Sequence, residues 1–213
     1  MGTKTASTGV KIPRPDTRTA VFQAAAAEFS ALGFDGVGVD DIAGRAKVNK
    51  AMIYYHFADK LALYRAVVGD MLATIGTTVT GIAGADLAPA DKLNRFIEQF
   101  VRHADARPWF PTLMLREIAA GAPHLDLETL GLMKAVFLAF GRILAEGAAA
   151  GTFRAIHPVL AYTSVMGPLL MNAARERMAA EPGRSQLPMF VAISHEDLIA
   201  HIQYTAQRML EHR

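Results

Sequence analysis

Apolar residues recur at three- and four-residue intervals along nearly the whole chain and show no strand-like alternation. Val21, Ala24, Ala25, Phe29 and Leu32 form one stripe and predict a first helix, capped by Asp16 or Thr17. The stretch GFDG ends it, because glycine tolerates the left-handed backbone of a helix terminus. VDDIAGRA predicts a short second helix and KVN a turn. Asn49 is a good N-cap for a third helix from Lys50 to Phe57. ADK restarts the chain into a long fourth helix, with Leu63, Tyr64, Val67, Val68, Met71 and Ile75 on its inner side.

The composition shifts around Gly81, Gly84 and Pro89, where a domain seam is expected. Beyond it, Leu93, Phe96, Ile97, Phe100, Val101 and Ala104 mark an amphipathic helix over Pro89–Arg107. A short helix follows near Trp109–Ala120, then a long one over Asp126–Ala150, closed by Gly151. Pro158 opens a further helix that ends near Met178. EPGRSQLP reads as a loop, and Ser194 caps a last helix. The expected fold is all-α.

The 213 residues, 52% of them hydrophobic, suffice for a well-filled core. Cysteine is absent, which excludes disulfides, thiolate metal sites and cysteine nucleophiles. The N-terminus has no apolar run of the signal-peptide kind, so a cytoplasmic location is expected. The longest uncharged stretch, Pro158 to Ala174, is broken by Gly167, Pro168 and Asn172; it reads as a buried helix, and no membrane partner is expected. A net charge of +2 is too small to announce a nucleic acid, but its distribution is local. Lys4, Lys11, Arg14 and Arg18 face only Asp16 at the start of the chain, and Arg45, Lys47 and Lys50 cluster farther on. Residues 1–15, rich in Thr, Ser, Gly and Pro, read as a flexible basic arm.

Immediately after that second cluster stand Tyr54, Tyr55, His56 and Phe57. A core-facing helix needs rings on one side only. Ile53 and Phe57 are four apart and share the inner face with Val48, whereas Lys50, Ala51, Tyr54 and, obliquely, Tyr55 fall elsewhere and are free to meet a partner. Two short helices joined by a tight turn are the helix-turn-helix arrangement, whose second helix fits the DNA major groove.

The segment from Val21 to Val68 resembles the N-terminal domain of the tetracycline-repressor (TetR) family of transcriptional regulators. The likeness lies in AAAAEFSALGF, DIAGRA, IYYHF and the DK that opens the fourth helix. It implies a three-helix DNA-binding domain over residues 16–64 and a helical effector-binding and dimerising domain over 65–213. It further implies that Lys50, Ala51 and Met52 approach base edges, that Tyr54, Tyr55 and His56 contact phosphates or bases, and that Lys60 meets a phosphate. Lysine at Lys50 suits guanine O6 or N7, and a helix N-terminus favours an anion. The partners implied are a double-stranded DNA operator, a second copy of the chain and a small effector.

Two positions depart from the family pattern. Gly38 stands where a Thr or Ser usually caps the second helix, so one phosphate contact is missing. Lys47 stands where the turn usually holds glycine, which asks either for a backbone that lysine adopts at a cost or for a slightly different turn, but brings a charge toward DNA. Lys47, with Lys11, Arg14 and Arg18, is expected to offset the lost contact.

Aromatic and Met residues are abundant between 96 and 171. Most are core by spacing, but the resemblance implies an effector cavity among these helices. Phe100, His103, Trp109, Phe110, Met114, Met133, Phe137, Phe140, Tyr162 and Met166 are its candidate lining, and a largely apolar or aromatic ligand is expected. No metal or cofactor is implied: His195 and His201 in HEDLIAH are six apart and miss a common helix face. No serine sits in a nucleophile elbow, and catalysis is not expected. The rival reading is an all-helical binding protein or enzyme whose helix-turn-helix no longer meets DNA; Gly38 is its only support.

Overall fold

The computed structural model describes residues 16–211, and the basic arm expected over 1–15, with Lys11 and Arg14, lies outside them. The described residues form nine α-helices and one short 3-10 turn, with no strand. The first four are α1 (Thr17–Leu32), α2 (Val39–Ala46), α3 (Lys50–His56) and α4 (Lys60–Gly84). Then come α5 (Pro89–Ala106), α6 (Trp109–Ala120), α7 (Leu127–Ala149), α8 (Pro158–Ala179) and α9 (His195–Leu210), with the 3-10 turn at Pro188–Phe190.

Helix starts follow from the expected caps. The carboxylate of Asp16 accepts the Thr19 N–H at 2.7 Å, Asn49 accepts from Ala51 at 2.8 Å, and Ser194 accepts from Asp197 at 3.0 Å. Asp59 and Asp126 cap α4 and α7 in the same way. Each such bond satisfies an N–H that the helix leaves orphaned and is worth about 1 kcal/mol. The third helix ends one residue earlier than its pattern suggests. Phe57 drops to an extended backbone at φ −138° while its ring stays in the core.

The spine of the molecule is α4. Its 25 residues pass without interruption through Tyr64 and through Gly81. The lower part packs against α1, and the rest lies against α5 and α7. By length and composition alone α4 would also cross a bilayer, but here its apolar side, including Leu63, Val67, Met71 and Ile75, is the protein core. Lys92 pins the far end: its buried ammonium donates to both Glu146 oxygens, at 2.8 and 2.7 Å, and to the Ala83 carbonyl. Between α5, α7 and α8 the rings of Phe96, Phe140, Tyr162 and Phe137 pack edge to face or tilted, with centroids 5.2 to 5.5 Å apart. Most of the aromatic excess is thereby consumed as core.

Candidate nucleic-acid interface and effector cavity

The second and third helices cross on α1, with Ile42 and Ile53 fully buried. With Ile53 and Phe57 committed inward, the opposite surface of α3 is presented outward. Tyr55 is 80% exposed and Tyr54 49%, high values for large rings, and Ala51 beside them is exposed. Met52 is half-buried.

The turn before α3 is a Schellman closure. The Lys47 N–H donates to the Gly44 carbonyl at 3.2 Å and the Val48 N–H reaches back to Ala43 at 3.1 Å. That geometry places Lys47 in the left-handed region, at φ 56° and ψ 42°. Its side chain is exposed and has neither a hydrogen bond nor an ion pair among the described residues. At the other departure, Gly38 starts α2 with φ −87°, and its N–H donates to Asp41 Oδ2 at 2.8 Å. The half of the cap that needs a hydroxyl is lacking, because glycine has none.

The other cations differ from expectation in their engagement. Lys50 Nζ donates to Asp40 Oδ2 at 2.8 Å, a bond that raises the lysine's pKa, and Arg45 pairs with Glu28 at 2.9 Å. Arg18 lies over the Phe57 ring, 5.3 Å from its centroid. Lys60 is the most firmly engaged of them. Its ammonium donates to the carbonyls of Phe34 and Val37, both at 3.0 Å, and sits 4.2 Å from the Phe34 ring centre. Two of the ammonium's three donors are spent on these carbonyls, so Lys60 ties down the turn before α2. His56 is half-buried against the rings of Tyr55 and Phe57, and its Nε2 is closed off without a partner among the described residues. A contact from His56 therefore uses Nδ1 or the ring edge.

Beside this reader unit lies a buried polar cluster. The Tyr64 hydroxyl donates to Glu117 Oε1 at 2.7 Å, and His124 Nδ1 is 2.8 Å from the same oxygen. Burial first, then the Glu117 bond and charge, push the Tyr64 phenol far above its ordinary pKa. The Phe34 ring packs against Tyr64, His124 and Phe29, so the turn held by Lys60 is also seated on α4, on the loop after α6 and on α1.

A cavity of about 490 Å³ opens between α1, α5, α6, α8 and α9. Of the ten expected lining residues, Phe100 and Trp109 border it. The other eight do not, for definite reasons. Phe110, Met114, Phe140 and Met166 are buried in the core, Met133 and Tyr162 pack against it, and Phe137 lies edge to face on Tyr162. His103 faces α4, with Nε2 3.2 Å from Thr78 Oγ1; burial, then nearby Arg107, lowers its pKa. Sequence reasoning missed the wall from α1, made of Ala27, Ser30 and Ala31, and the polar rim of Asp105, Asn172, Glu176, Arg177 and His195. The small residues of α1 carried one signal: a run of alanines leaves space between helices.

Comparison with known proteins agrees with this architecture. Residues 21–67 match the family model of bacterial regulatory proteins of the tetR family, and residues 89–181 match the tetracyclin repressor-like C-terminal domain. The HTH-type transcriptional regulator RutR of Escherichia coli is 30% identical over 141 residues, a stretch that is 66% of each chain. The A-factor receptor protein of Streptomyces griseus is 27% identical over 201 residues, covering 88% of this chain and 67% of that one. Among solved structures, a Clostridium perfringens putative fatty acid metabolism regulator superimposes with a TM-score of 0.73 at 20% identity, covering 91% of this chain and 100% of that one. The regulator PfmR of Thermus thermophilus gives 0.69 at 23%, covering 90% and 99%. Those two likenesses bear on the fold; the sequence matches carry the descent. The chain belongs to the TetR family of transcriptional regulators.

Proposed function

We propose that the protein is a homodimeric repressor that grips a near-palindromic operator through α3 and leaves it when a small effector enters the cavity beside α1. The observation that carries this reading is the division of α3. Ile53 and Phe57 hold it in the core, while Tyr54, Tyr55, Ala51 and the turn lysine Lys47 face outward as one surface. Tyrosine hydroxyls and a lysine offer donors to phosphate oxygens, and Lys50 and Met52 at the helix start are placed for base edges. Lys50 would exchange Asp40 for its DNA partner. Lys60 acts indirectly by fixing the turn through which the unit approaches the groove.

Residues 16–64 form the reader domain in this reading and 65–213 the effector and dimer domain, with α4 shared between them. One short reader helix binds too few base pairs alone, so a two-fold arrangement is required, with α3 and its mate in successive major grooves about 34 Å or a multiple apart. Exposed Val159, Leu160 and Met171 on α8 and Tyr204 on α9 support those helices as the surface that pairs. The relative named A-factor receptor protein is in keeping with a ligand-receiving second half. An activator would use the same contacts, with its operator placed differently at the promoter.

The test is selection of genomic fragments by the purified protein, followed by gel shift with Tyr55→Ala. The variant removes an exposed ring, so folding and dimerisation should persist while operator affinity falls at least about tenfold. Failure to enrich any sequence at low salt, or unchanged binding by Tyr55→Ala, overturns the reading.

A further inference from the structure

The cavity does not end at its apolar wall. It shares Thr112 and Arg177 with a second, adjoining niche of about 350 Å³, whose charged residues are Arg116, Arg177, Arg184 and Glu181. None of the three guanidinium groups has a carboxylate partner among the described residues. Arg116 Nη2 donates to the Ala31 carbonyl at 3.2 Å, and Arg177 donates to the same carbonyl at 3.3 Å and to Ser30 Oγ at 3.4 Å. Arg184 makes no side-chain hydrogen bond among the described residues. In the niche three cations stand against one acid, and the adjoining chamber, walled by Phe100, Trp109 and Leu169, carries Asp105 and Glu176 on its rim; together they describe a bipartite site.

From this we infer that the effector is an anionic amphiphile, its apolar body in the cavity and its carboxylate or phosphate head on Arg116, Arg177 and Arg184. The inference rests on the effector reading above and specifies its chemistry. Guanidinium groups without carboxylates take such oxygens bidentately, and the low-dielectric chamber beside them strengthens the bond. The arrangement also says how occupancy reaches the reader domain. Two of the three arginines hold the C-terminal end of α1 through the Ala31 carbonyl and Ser30. A head group that draws them off loosens α1, which carries α2 and α3. Only a ligand with different affinity for the two arrangements shifts the balance, and competition for the same guanidinium donors supplies that difference.

Trp109 is the single tryptophan of the chain and borders the cavity, so its fluorescence reports binding directly. The probes are dodecanoate, dodecyl phosphate and dodecanol, each below its micellar concentration, added to the full-length protein. Saturable binding of either or both anions is expected, and which one binds tighter identifies the head. The alcohol should bind roughly tenfold more weakly or worse, the loss of a charge-assisted contact. Arg184→Gln should bring the preferred anion down toward the alcohol while leaving dodecanol binding unchanged, which also shows that the variant is folded. Ala104→Phe, which fills the chamber, should weaken all three. Equal binding of alcohol and anion, indifference to Arg184→Gln, or no binding by any probe overturns the inference. The two readings fail separately. Anion binding to a protein that selects no operator would sink the repressor assignment and leave the site standing, whereas a protein that selects an operator and ignores every probe would do the reverse.

Discussion

Lys47 is strained at φ 56°, a region that costs a residue with a Cβ about 1–2 kcal/mol relative to the ordinary helix. Lys47→Gly removes that strain and, because the side chain makes no hydrogen bond or ion pair among the described residues, breaks no folded contact. Against the gain stands the greater freedom that glycine gives the unfolded chain, about 0.4–1 kcal/mol. The difference leaves the variant more stable by about 0.5–1 kcal/mol, or about 1–4 °C in Tm for a chain of this size. Operator binding should move the other way. One cation per protomer is lost from the turn that faces the phosphates, so the slope of log affinity against log salt should shrink by about one per protomer. Urea denaturation and salt-titrated gel shifts measure the two effects on the same samples. An unchanged or lower urea midpoint would refute the strain argument, and an unchanged salt slope would refute the placement of Lys47 against phosphate.

Lys60→Met should weaken operator binding with little change in its salt slope, because the ammonium holds the Phe34 and Val37 carbonyls and not a phosphate; a slope that drops by about one per protomer would restore the direct contact. Gly147 packs so closely under the Phe153 ring that an added Cβ would overlap it, so Gly147→Ala should destabilise the α7–α8 corner by about 1–3 kcal/mol in urea melts. His103 has a lowered pKa, mainly from burial and then from Arg107. The unfolded chain therefore binds a proton that the native state resists, and stability falls as pH drops below about 6.5. His103→Gln should flatten that acid limb of the urea midpoint; an unaltered limb would place the titration elsewhere.

How much could be read from the sequence varied with distance along the chain. Helix starts were legible because a cap is a contact over two or three residues: Asp16, Asn49 and Ser194 each accept an N–H inside their own first turn. The inward assignment of Ile53 and Phe57 needed only the helical period, and both are buried. At Lys47 the resemblance, which places a glycine there, left open a left-handed backbone or a slightly different turn, and the backbone is left-handed. The cavity was not. Its wall joins Ser30 on α1 to Arg177 on α8, residues 147 apart, and nothing in either neighbourhood announces the other. Aromatic content pointed to the wrong side chains because rings fill a core as readily as they line a pocket. Phe140 and Tyr162 satisfy each other at 5.5 Å and leave no room between them.

The same limit applies to charge, and it alters what DNA binding must involve. Counting basic residues from Arg18 to Lys60 suggests a broad positive footprint, yet a sequence cannot show which cations are already engaged. Arg45 and Lys50 are held by Glu28 and Asp40 in exposed or partly exposed pairs, which contribute little and are screened by salt. A phosphate therefore displaces those carboxylates at small cost. Lys60 is different: removing it frees the Phe34 and Val37 carbonyls and unseats the turn that leads into α2. If the protein grips DNA as proposed, Arg45 and Lys50 can be transferred to it at less cost than Lys60. In the proposed reading the approach to the groove rests on that fixed turn, with Lys47 and Arg45 the charges left to meet the backbone and Lys50 the one left to meet a base edge.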